Sequence, residues 1–156
     1  MAVRRTAIAA LSLSATALVG MAIHEGFRDQ AYMPTPDDVP TIGFGTTDGV
    51  KPGDKITVER ALVRLLGDAD KFQRDLKACI GDVPLHQHEW DAYVSWAYNV
   101  GTGAACKSTL VHKLKSQEYA QACAELLRWN KQAGKVLRGL TARRQAEYQL
   151  CIGKNT

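Results

Sequence analysis

Glu25 directly follows His24, which closes a run of eighteen uncharged residues, Thr6 to Ile23. A carboxylic acid at the edge of an apolar helix has the setting of a proton donor to a leaving oxygen. Two more acids, Asp37 and Asp38, fall in a turn bounded by prolines at 34, 36 and 40. One proton-bearing carboxyl plus a second carboxylate that activates water or attacks the sugar is the pair that glycoside hydrolysis requires. Each residue also has an ordinary role to set against that chemistry. A glutamate at a helix end is usually solvated, and aspartates in turns commonly bond their own backbone.

The elements that must position these acids are legible in the spacing. Phe27 to Val50 mixes β-prone residues with prolines and glycines and predicts a small hairpin lobe. Thr57 offers an N-cap, and Leu62, Leu65, Leu66, Ala69, Phe72 and Leu76 recur at helical spacing up to Cys79. Trp90 to Val100 is apolar nearly all round, which predicts a central helix buried by its neighbours. Shorter helices are expected from Ser108 to Ser116, Glu118 to Asn130 and Thr141 to Cys151, with Ser108 and Thr141 as caps. The fold class is α+β, with a β lobe at about 27–50 and a helical lobe at about 57–152.

The N-terminal run is barely long enough to span a bilayer. Eleven of its eighteen residues are Ala, Gly, Ser or Thr. Its six strongly apolar residues contribute roughly −2 to −4 kcal/mol to insertion, before the polar positions subtract. Arg4 and Arg5 keep the N-terminus cytoplasmic, so the body of the chain is expected in the periplasm. Three readings follow: a segment that enters the membrane and later leaves, a permanent anchor, or a signal peptide cleaved after Ala15-Thr16-Ala17. The expected division is an anchor at 1–23 and one catalytic domain at 24–156.

From Lys107 onward there are ten Lys or Arg against three acids, a local balance of +7. Such a half suits a polyanion, and nucleic acid, anionic lipid and the bacterial wall all satisfy that electrostatics. Lys131, Lys135, Arg143 and Arg144 suit wall binding, or else form solvated helix faces. Cys79, Cys106, Cys123 and Cys151 have no zinc-like spacing; disulfides are expected outside the cytoplasm, and three pairings remain open.

HEGFRDQAY, the turn MPTPDDVP and TIGFGTT together resemble the opening of the phage lysozymes, glycoside hydrolase family 24. Glu25, Gly26, Arg28, Tyr32, Thr41, Ile42, Gly43 and Gly45 match the family's Glu-Gly, Arg, Tyr and Thr-Ile-Gly-x-Gly positions. YVSWAYNVG, CKSTLVHKL, LLRWNKQAGK and GLTARRQAE extend the likeness over nearly the whole chain after residue 23. The resemblance implies a lysozyme-like fold and a muramidase endolysin of the signal-anchor-release type. It implies Glu25 as general acid, Thr41 as the hydroxyl beside the attacking water, inversion, and no metal or organic cofactor.

In much of the family the second carboxylate lies nine residues after the Glu, where this chain has Pro34. Asp38 is preferred in its place, because three residues before Thr41 it lies on the approach to a strand. Asp37 is a close second. Arg28 would pair with a hairpin acid or form a surface ion pair, and Trp90, Trp96 and Trp129 are expected in the core rather than stacked on sugars. The expected partners are peptidoglycan and, before release, the inner membrane, with no nucleic acid and a monomeric chain. Two other functions are weighed against this one: a lytic transglycosylase, and a non-catalytic wall-binding protein.

Overall fold

The computed structural model describes residues 2–154. In chain order it holds β1 (Thr6–Ala7), a 3-10 turn (Ile8–Ala10), α1 (Ala15–Glu25), β2 (Arg28–Tyr32), β3 (Thr41–Gly43), α2 (Val58–Ile80), β4 (Pro84–Leu85), α3 (Gln87–Val100), α4 (Thr102–Cys106), α5 (Thr109–Lys115), α6 (Tyr119–Glu125), a second 3-10 turn (Leu126–Arg128), β5 (Lys131–Gln132), β6 (Lys135–Val136) and α7 (Arg138–Cys151). Small antiparallel pairs among many helices make this the expected α+β arrangement. The chain divides into two compact units, Leu18–Lys71 and Met1–Ala17 with Phe72–Thr156.

The unit Leu18–Lys71 is built on a hairpin. β2 and β3 pair antiparallel, with Arg28 opposite Gly43 and Tyr32 opposite Thr41, and the register shifts between the two pairs. The other edge of β2 is also used: the Ala31 N–H donates to Asp54 O at 2.9 Å and the Ile56 N–H to Asp29 O at 2.9 Å. Thr57 caps α2 as expected, accepting from the Arg60 N–H at 3.4 Å, and Ala61, Leu65 and Ala69 recur on one fully buried face.

Gly43 is where β3 meets that helix. Its φ is +65°, and a Cβ placed there would lie 3.0 Å from the Ala61 Cβ. Gly43→Ala is therefore expected to cost about 1–3 kcal/mol from the left-handed backbone alone. The check is a lowered urea midpoint at unchanged slope; an unmoved midpoint would show that the hairpin relaxes around the methyl.

In the other unit, α3 is enclosed as its sequence predicts: Trp90, Ala92, Tyr93, Val94, Trp96 and Ala97 expose no surface. Its most extensive helix partner is α7. Ser108 caps α5 as expected, accepting from the Val111 N–H at 3.2 Å. Thr141 does not cap α7, which begins earlier, at Arg138. The Thr141 hydroxyl instead donates to Leu137 O at 3.1 Å, a bond back into the first turn. Of the three possible pairings, the disulfides are Cys79–Cys106 and Cys123–Cys151.

Residues 6–23 are not one continuous helix. Thr6 pairs with Leu85 and Ala7 with Pro84, Ile8 and Leu11 are buried, and helix resumes only at Ala15. Ser14 caps that helix, its Oγ accepting from the Ala17 N–H at 3.1 Å. Among the described residues no helix is long and apolar enough to cross a membrane.

Candidate active site

Glu25 is the last residue of α1 and is half-buried. The helix stops there because Gly26 takes φ +72°, while its N–H still reaches Ala22 O at 3.0 Å. The Glu-Gly pair is thus a helix stop that delivers the carboxyl at the entrance to β2. One residue further, Phe27 packs on Phe44 with ring centroids 5.5 Å apart, which ties the start of β2 to the residue after β3.

Thr41 opens β3 opposite Tyr32 and is buried. Its hydroxyl donates to Val39 O at 3.1 Å, which leaves the oxygen lone pairs to accept from a water. Asp37 and Asp38 are exposed in the turn that joins the strands. The Asp38 Oδ1 accepts from the Val39 N–H at 2.9 Å, and the Asp38 N–H donates to Thr35 O at 3.1 Å. Turn bonds rather than strand pairing therefore orient Asp38, since pairing begins only after Pro40, which has no N–H to give a ladder. All four candidates belong to one unit. In the hairpin register, Glu25 stands at the end marked by the Arg28–Gly43 pair, the two aspartates at the turn, and Thr41 beside the turn.

Three expected roles change. Arg28 lies over the Tyr32 ring at 5.2 Å, so its guanidinium engages an aromatic face of the same strand. Arg143 and Arg144 are neither wall-facing nor solvated: they expose 6% and 0% of their surface. Arg143 Nε reaches Glu147 Oε1 at 3.2 Å and Arg144 Nε reaches Glu147 Oε2 at 2.7 Å, while the Ser95 hydroxyl donates to the same carboxylate at 2.8 Å. Lys131 and Lys135 stay exposed on β5 and β6. Trp90 and Trp96 are core residues, and Trp129 meets Trp96 edge-on at 5.3 Å.

Sequence reasoning also missed Glu89 and Asp91, which expose 3% and 5% of their surface; Asp91 lies within the stretch Trp90 to Val100 read as apolar nearly all round, and Glu89 directly precedes it. A carboxylate inside such a run is itself the signal, since it must find partners when buried. Glu89 binds Arg5 through Nε and Nη2 at 3.1 and 2.8 Å, and that guanidinium lies 3.5 Å over the Tyr119 ring. Among the described residues no group of three or more His, Cys, Asp or Glu is placed to hold a metal ion.

The family model described as phage lysozyme matches residues 22–147. An endolysin of Bacillus phage B103 is 39% identical over 130 residues, covering 82% of this chain. The chain spans about half the length of that relative, 49%. A SAR-endolysin of Pseudomonas phage phiKMV is 37% identical, with 88% of this chain and 87% of that protein covered. Among solved structures, the endolysin from Escherichia coli O157:H7 phage FAHEc1 superposes with a TM-score of 0.80 at 34% identity, covering 92% of this chain and 95% of that one.

Proposed function

The chain belongs to the phage lysozyme family, and from that premise we propose that it is an endolysin that hydrolyses the β-1,4 bond between N-acetylmuramic acid and N-acetylglucosamine in peptidoglycan. The observation that carries this reading is the hairpin itself, which collects an acid at a helix stop, a buried threonine hydroxyl and two turn carboxylates in one unit. Glu25 protonates the leaving glycosidic oxygen. A water held by the Thr41 hydroxyl and activated by Asp38 attacks the anomeric carbon from the opposite face, so that the configuration inverts. Proton delivery and removal by protein carboxyls need no cofactor in this scheme.

Asp38→Asn is expected to lower the rate of peptidoglycan solubilisation by about two orders of magnitude or more, with Asp37→Asn within a few fold of the parent. A reversed order would move the role to Asp37, and two mild effects would remove the second carboxylate from this turn. Reducing-end product without an anhydro ring supports hydrolysis; an anhydro product would make the enzyme a lytic transglycosylase.

Export follows from the same reading. Residues 6–23 act as a tether in the inner membrane, with the rest of the chain in the periplasm, and activity follows release without cleavage. Arg4 and Arg5 must then be drawn across the bilayer. A membrane potential resists this by about 2.3 kcal/mol per charge per 100 mV, so its collapse favours release. The name SAR-endolysin carried by the phiKMV relative supports this reading.

A further inference from the structure

The four residues between the 3-10 turn and α1, Leu11 to Ser14, have no regular structure, yet their backbone is bonded at every residue. Lys77 Nζ donates to Leu11 O at 2.5 Å. Gln87 Nε2 donates to Ser12 O at 2.7 Å. The Leu13 N–H donates to Gln73 Oε1 at 2.6 Å, and the Ser14 N–H and hydroxyl donate to Asp91 Oδ1 and Oδ2 at 2.9 and 2.7 Å. The four side chains brace one another or their surroundings. Gln87 Nε2 also reaches Asp91 Oδ1 at 2.9 Å, Trp90 Nε1 donates to Gln73 at 3.1 Å, and Lys77 lies 5.6 Å over the Trp90 ring.

These contacts read backbone groups at all four positions and a side chain only at Ser14. A segment crossing a bilayer must satisfy those same N–H and C=O groups within its own helix. The two sets of bonds exclude each other: Leu11 to Ser14 are either helical and spanning, or broken and held.

We propose that Gln73, Lys77, Gln87 and Asp91 form a backbone clamp whose occupant is the chain's own N-terminal segment, and that the clamp selects the broken, non-spanning conformation of that segment. This rests on the release reading above. Because recognition is of backbone, the segment keeps the small and apolar side chains that marginal insertion needs. Asp91 also acts on the helix of the candidate acid, because by holding Ser14 it sets the cap from which α1 starts, and Glu25 is the last residue of that helix.

The test uses the full chain inserted into phosphatidylethanolamine–phosphatidylglycerol vesicles under a diffusion potential, with the soluble fraction measured after the potential is collapsed. The parent is expected to leave the vesicles intact, still beginning at its own N-terminus. Lys77→Met with Gln87→Ala is expected to lower the ratio of released to bound chain by about tenfold, a scale set by the charge-assisted bond that is lost. In the released chain of this pair, the Leu13 and Ser14 amides should exchange with solvent faster while those of α3 stay protected. Gly43→Ala, which strains the hairpin and touches no clamp contact, is the control for general loss of stability.

If the parent stays bound or is recovered only in cleaved form, the release reading falls and the clamp with it. If the parent is released and the clamp pair is released equally, the clamp is overturned and release stands. A shift as large for Gly43→Ala would assign the effect to overall stability and also overturn the clamp.

Discussion

Glu25→Gln, purified as the full chain, is expected to remain folded and to lose about two to four orders of magnitude of the proposed muramidase activity, the worth of positioned general acid catalysis. The amide keeps the volume of the side chain at the half-buried end of α1. The helix stop also survives, because it is made by the backbone of Gly26 and Ala22 and not by the carboxyl. What the proposed reaction loses is the proton, without which the sugar oxygen must depart as an alkoxide. Retention of more than about a tenth of the parental rate would dismiss Glu25 as the acid. A large fall in melting temperature would assign it a structural role instead.

The largest effect on stability is expected at Glu147. This carboxylate is 2% exposed, is engaged by two buried arginines, and accepts the Ser95 hydroxyl. The Arg143 guanidinium also donates to Ser95 O at 3.2 Å, and that of Arg144 to Asn99 Oδ1 at 3.0 Å. Glu147→Gln removes the charge of the carboxylate that both arginines share, and breaking a buried pair by removing one partner costs about 3–5 kcal/mol. For a chain of this size that lowers the melting temperature by on the order of 10 °C. A drop of a degree or two would mean that the arginines find other counter-charge or reach water.

Most of the fold could be read from periodicity, because burial of one helical stripe fixes which residues recur. α2, α3 and α5 fall where the apolar spacing and the caps place them. Glu25 and Thr41 were singled out by the family resemblance, and locally they sit at a helix stop before Gly26 and at a strand start after Pro40. What could not be read is pairing over distance. Arg143 and Arg144 look like two more charges on a basic helix until α3 supplies Ser95 beside them, and nothing within a single helix reports that. Asp91 is hidden for the same reason, since its partner Ser14 lies 77 positions away in the chain. The short β5–β6 pair leaves only a two-residue pattern on each strand, too little for alternation to show.

The two disulfides link Cys79 to Cys106 and Cys123 to Cys151, and neither loop encloses any of the first twenty-five residues. Each closed loop of this length removes about 3 to 4 kcal/mol of chain entropy from the unfolded state. Under the export we propose, oxidation outside the cytoplasm therefore does not have to wait for the N-terminus to arrive. A chain still held by its leading end can complete the slow thiol chemistry of its helical unit and wait there, cross-linked, with one end uncommitted. On the release we propose, the onset of activity is then decided by a rearrangement of some twenty residues rather than by oxidative folding, and copies accumulated beforehand are ready together.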